Sequence, residues 1–189
     1  MGAGDDERQR RSARHGAAGA GEGGGTEALL RGIVVRLHTG TGRHSGTDDM
    51  LYVGVSGTRG GREFPLDVPW FDDFERRSRV KYALGEVWDE DLLAGARTPR
   101  HARGDWNDPS LLAVDLDAVD RVYLRKHAGR RAADDDAWEL DEAEVVLFGT
   151  PPRRRVYRSS GALWLGVAYG LTVWLPEVEP GAPSVSLRP

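Results

Sequence analysis

The chain has 189 residues, enough for one domain with a sizeable core. Its 26 lysines and arginines against 30 aspartates and glutamates give a formal net charge of −4, which lacks the basic excess of a nucleic-acid binder. Cysteine is absent, which excludes disulfides, thiolate zinc sites and a cysteine nucleophile.

Residues 1–28 are rich in glycine, alanine, arginine and acidic residues. With almost no large apolar side chains they cannot offset their ordering entropy, so a disordered tail is expected there. No signal-peptide-like apolar run opens the chain, and Ala162 to Leu175 is too short and glycine-broken to cross a bilayer. The expected location is cytoplasmic or peripheral to a membrane.

Ile33, Val35 and Leu37, then Leu51, Val53 and Val55, alternate with polar or small residues. Period-2 alternation on both sides of a glycine-rich connection predicts two half-buried strands joined by a loop. Val80, Tyr82 and Leu84 predict a third strand. Residues 86–110 break the rhythm with acidic, proline and glycine content and predict a long excursion, with a turn of helix near Asp89 to Ala94. Leu111 to Leu116 predicts a short strand, and Arg121 to His127 a better one with Val122 and Leu124 inward. From Ala137 to Phe148 the apolar parity changes at Asp141-Glu142, which calls for a β-bulge. Pro151-Pro152 marks a corner, and Arg153 to Arg158, Leu163 to Val167 and Leu171 to Leu175 predict the closing strands, with Ser159-Ser160-Gly161 in a turn. A proline-rich irregular tail is expected over 177–189. Many short strands and no sustained helical period predict an all-β sandwich or barrel.

Thr39-Gly40 is followed by Ser45-Gly46-Thr47-Asp48-Asp49, and then, in order, by Pro65-Leu66-Asp67 with Phe71-Asp72-Asp73-Phe74-Glu75-Arg76, Val122 to His127, Asp136 to Val145 and Leu163-Trp164-Leu165. These blocks, in their order, resemble the PLAT domain, a β-sandwich module of lipoxygenases, lipases, polycystins and alpha-toxin-type phospholipases, with the first similar to that family's opening block. The resemblance covers about residues 31–176. It implies two four-stranded antiparallel sheets over 29–176, and attachment to lipid or to a partner protein, often with calcium.

Calcium is held by carboxylates and carbonyls, six to eight oxygens in all. The resemblance places the loop ending in Asp48 and Asp49 beside the loop of Asp134, Asp135 and Asp136. Asp48, Asp49, Asp134 and Asp136, with carbonyls of Thr39, Gly40 or Gly46, are the candidate calcium ligands. Arg43 and His44 in the first loop, with Trp70, Phe71 and Trp106 in later loops, are candidate contacts to an anionic membrane lipid or a protein partner. Lipoxygenase-type members often place a bulky aromatic where Arg43 and His44 stand. Trp70, Trp88 and Trp106 sit in predicted loops without an evident core role, and histidines at strand ends are expected to be structural. No G-x-S-x-G, Walker A or G-x-G-x-x-G frame occurs, so no enzyme is expected. The expected function is a non-catalytic binding module for membrane lipid or protein, with calcium as its ion. The alternative is a metal-independent interaction protein that recognises a partner through loop 86–110.

Overall fold

The computed structural model describes residues 28–58, 60–128, 136–179 and 181. The expected tail at 1–28 lies outside them except for Ala28, which is buried in the core. The alternating segments form antiparallel strands: β1 (Gly32–Thr39), β2 (Leu51–Gly57), β3 (Gly60–Pro65) and β4 (Arg79–Gly85). They are followed by β5 (Val119–Lys126), β6 (Trp138–Phe148), β7 (Arg154–Leu165), β8 (Thr172–Leu175) and β9 (Glu177–Val178). They build a sandwich with sheet orders β4-β1-β6-β7-β9 and β3-β2-β5-β8. The expected pair of four-stranded sheets thus gains a fifth strand, because Glu177 and Val178 pair with Tyr157 and Val156.

The inward parity is the one the sequence predicts. Ile33, Val35 and Leu37 pack with Leu51, Val53, Val55, Val122 and Leu124 in one core, where Trp138 is wholly buried. Each such aliphatic side chain contributes about 1.5–3 kcal/mol when fully buried. The indole of Trp138 is polar at Nε1, and that atom donates to Thr39 Oγ1 at 3.0 Å. The register of β6 slips between Leu140 and Glu142, at the predicted bulge.

Three expectations need correction. Leu111 to Leu116 is not a strand. Asp108 and Asp115 instead cap single 3-10 turns at Pro109–Leu111 and Leu116–Ala118 through their side chains, which favours turn over ladder. The segments 153–158 and 163–167 belong largely to one strand, β7, and Ser159-Ser160-Gly161 is no turn. Gly161, at φ 103°, absorbs the irregularity that matches the bulge in β6. Trp88, finally, has a core role of its own.

That role belongs to the 86–110 excursion. Its helical turn, α1 (Glu90–Leu93), is capped by Asp89, which accepts from the Leu92 amide at 3.1 Å. Trp88 meets Phe148 edge-on at 5.3 Å between ring centroids. Val87, Leu92, Leu93 and Ala96 join it over Val34, Ala83, Val146 and Val156, a second cluster outside the five-stranded sheet. Arg97 then bridges β4, with Ala83 N donating to Arg97 O at 2.8 Å and Arg97 N to Lys81 O at 2.7 Å. The excursion therefore covers an apolar sheet face and closes a sheet edge that would otherwise offer unpaired amides.

Candidate functional site

The β1–β2, β3–β4, β5–β6 and β7–β8 connections lie at one end of the sandwich, as the antiparallel order requires. Backbone bonds sew them together. Thr47 N donates to Phe74 O at 3.1 Å, His127 N to Met50 O at 2.8 Å, and Lys126 N to Leu171 O at 2.9 Å. The Thr47 hydroxyl donates to Asp136 O at 3.0 Å, which joins the first loop to the start of β6. Ser45 holds the turn of the first loop by donating to Gly40 O and Gly42 O at 2.7 and 3.0 Å.

Between the first loop and the β3–β4 loop lies a hollow of about 170 Å³. Five aspartates line it, Asp48, Asp49, Asp67, Asp72 and Asp73, with Met50 and Phe71 at its apolar side. Carboxylate oxygens of Asp48, Asp72 and Glu75 come within 4.8 Å of one another, all three side chains exposed. Asp73 is different: it is buried, at 7 % exposure. Its Oδ2 accepts from Val68 N at 3.2 Å. Its Oδ1 lies against the Tyr82 hydroxyl, and the charge of Arg97 acts on both groups. Burial raises the Asp73 pKa above the usual aspartate value, and burial raises that of Tyr82 still more strongly. Three carboxylates gathered as closely as those of Asp48, Asp72 and Glu75 repel one another, which favours a cation among them.

The expected ligands are distributed unevenly around this hollow. Asp48 stands in it with Asp72, and the Glu75 carboxylate approaches both. Asp49 pairs with the ammonium of Lys126, a residue buried on the core face of β5. The Thr39 hydroxyl oxygen accepts from Trp138 and from Ser78 Oγ, the latter at 3.0 Å. Gly40 O accepts from Ser45 Oγ and from Arg77 N, the latter at 3.0 Å. Gly46 lies against the Phe74 carbonyl. Asp136 is brought to the same end through its carbonyl, and Asp134 lies outside the described residues. Sequence reasoning did not single out Asp72, Asp73 and Glu75 as ligands. Their signal was the run Asp-Asp-Phe-Glu in a connection that antiparallel topology returns to the Asp48 end.

Arg43 and His44 are exposed on the first loop. Trp70 is fully exposed at the tip of the β3–β4 loop and holds φ 67°, a left-handed conformation that a bulky residue rarely adopts. Phe71 is half-covered by the Arg97 guanidinium, 3.1 Å from its ring centroid. Trp106 is exposed and leans on His101 at 5.1 Å, within the excursion. The basic run near the opposite corner is engaged within the fold: Arg153 bonds Asp117, Arg154 bonds Asp89 and Arg155 bonds Glu177. No helix among the described residues is long and apolar enough to cross a membrane.

No family model and no curated protein matches the chain. Solved structures do match it. Alpha toxin from Clostridium absonum aligns over 80% of this chain and 32% of its own, with 19% identity and a TM-score of 0.52. The fold is PLAT-like. The alpha-toxin of an avian strain of Clostridium perfringens aligns over 82% of this PLAT-like chain and 34% of its own, with 17% identity and a TM-score of 0.51. Coral 8R-lipoxygenase, described as activated by calcium through a C2-like domain, aligns over 78% of this chain and 17% of its own, with 19% identity and a TM-score of 0.48. The PLAT-like chain thus spans about a third of the length of the toxins it matches.

Proposed function

We propose that this PLAT-like domain is a non-catalytic association module that docks on anionic membrane lipid through its loop end, with calcium in the acidic hollow. The observation that carries the reading is the approach of the Asp48, Asp72 and Glu75 carboxylate oxygens to within 4.8 Å of one another, beside a hollow lined by five aspartates. Calcium accepts six to eight oxygens, so Asp48, Asp72, Asp73 and Glu75 would supply part of a shell that water and a lipid phosphate complete. The bound cation would turn a repulsive acidic end into one that tolerates phosphate. Trp70, fully exposed beside it, would place its ring at the headgroup level. Residues 86–110 offer a partner less, since Val87, Trp88, Leu92 and Leu93 are taken up by the sheet they cover.

The test is calorimetric titration with calcium chloride, followed by sedimentation with phosphatidylserine vesicles. Calcium should bind, and co-sedimentation should need both calcium and anionic lipid and weaken with salt. Asp72→Ala should lose the heat of calcium binding. Binding to vesicles that ignores EDTA would overturn the role of the ion, and no binding to vesicles at all would overturn the lipid.

A further inference from the structure

The outer face of the four-stranded sheet carries an aromatic strip that the loop end does not use. Among the described residues, the outer face of the five-stranded sheet has its own buried cluster, whereas this face has none. Tyr52 of β2, Tyr123 and Arg125 of β5, Glu63 of β3 and Trp174 of β8 share its parity, because Tyr52 pairs with Arg125 and Tyr123 with Trp174. Gly54 pairs with both Glu63 and Tyr123. A Cβ at position 54 would stand 2.1 Å from Tyr123 Cζ and within 2.5 Å of both Cε atoms. The Tyr123 ring therefore lies down over Gly54, one face on the backbone and the other outward. Trp174 is 55 % exposed and stands 4.9 Å from Tyr123 between centroids, tilted by 58°. The two rings make a shallow V.

The strip is held rigid by charge. Glu63 Oε1 accepts from Arg125 Nε at 2.6 Å and from the Tyr123 hydroxyl at 3.2 Å, and Oε2 accepts from Arg125 Nη2 at 2.6 Å. A carboxylate has about four acceptor positions, so Oε2 keeps one, and Arg125 Nη1 keeps its donors among the described residues. The Arg125 guanidinium also lies 4.3 Å from the Tyr52 centroid. Rings fixed in this way lose little entropy when a ligand covers them.

We infer that this strip is a carbohydrate-binding face that takes a short run of neutral pyranose units. A pyranose has an apolar C–H face, which suits the outward faces of Tyr123 and Trp174. Its edge carries hydroxyls that both donate and accept, which suits a carboxylate and a guanidinium that each retain one role. A polyanion would need several unpaired cations in line. Here Arg125 is neutralised by Glu63, and Arg121, 5.7 Å from the Trp174 ring, remains beside them. An apolar protein surface would desolvate the Glu63–Arg125 pair with nothing to return.

The test is native electrophoresis of the whole chain through gels containing barley β-glucan, xylan, galactomannan or soluble starch. At least one should retard the protein relative to albumin, with EDTA and added calcium making no difference. Trp174→Ala should weaken the retardation roughly tenfold while the melting temperature stays unchanged. Tyr123→Phe, which keeps the ring and removes the hydroxyl, should weaken it less. Trp70→Ala should leave it intact, which separates this face from the lipid-docking end. No retardation in any of the four gels, or retardation that survives Trp174→Ala, would overturn the assignment.

Discussion

Asp49 neutralises a lysine that is wholly buried, while Asp48, one residue earlier, is exposed beside Asp72 and Glu75. Adjacent identical residues should therefore answer differently to substitution. Asp49→Ala removes one carboxylate from the buried Lys126 ammonium and should cost about 2 kcal/mol. That is a fall in melting temperature of roughly 2–4 °C for each kcal/mol in a chain of this size. Asp48→Ala should leave melting of the metal-free protein nearly unchanged and should remove the calcium-induced rise instead. Asp73 carries a third kind of consequence. Its folded pKa is raised by burial, so the folded state holds a proton more readily than the unfolded chain. The cost of its charge is present at neutral pH and fades as pH falls through the raised value toward 3.8, the ordinary aspartate value. Asp73→Asn should thus stabilise the metal-free protein at pH 7, give no advantage below that ordinary value, and abolish the calcium response. Melting curves across pH, with and without calcium, read all of these.

At the scale of elements, the excursion is the feature whose role sequence and structure describe differently. Alternation is a local signal, and it located β1, β2, β4, β5 and β8, along with the bulge in β6. It also fixes parity, and the step from Val122 to Leu124 continues to Lys126 on the core face, a legible hint of a buried cation. What alternation cannot show is which distant segment covers which sheet face. Trp88 lies in a loop by local pattern and meets Phe148 only through tertiary packing, and Asp72 and Asp48 meet only through the return of β3 toward β4. The continuity of β7 was hidden because Gly161 and its serines carry turn chemistry that here serves a bulge. Trp88→Ala should uncover Phe148 and cost about 3 kcal/mol, read by denaturant melting, and leave calcium binding unchanged. Were the excursion chiefly a recognition loop, that substitution would change partner capture and leave stability alone.

Across the whole molecule, charge pairs tie the sheets at both margins. Arg125 beside Glu63, and Arg155 beside Glu177, hold both glutamates below the usual value of 4.5, with the hydrogen bond from arginine as the larger cause. Both pairs contribute stability that is fully present above the unfolded glutamate pKa and lost as pH falls through the lowered folded values. Acid unfolding should therefore steepen as pH falls below 4.5, and Glu177→Gln should soften that limb; Glu177 is exposed and Glu63 only half-buried, so solvent screening keeps the effect modest. Cation loading acts in the opposite sense: calcium at a hundred times its Kd should add about 2.7 kcal/mol, and EDTA should reverse it.

The two regions that differ most in chemistry are laced to each other. Asn107 Nδ2 donates to Pro65 O and Arg100 O at 3.0 and 2.9 Å, Arg100 N reaches Asp67 O at 2.9 Å, and Arg97 caps Phe71. A clasp of this kind carries stiffness along the chain. Deuterium uptake at the amides of residues 97–102 should slow when an ion settles in the hollow, because Arg100 pairs with Asp67 on its wall, so the sheet's outer wrapping would serve as a built-in reporter of that event.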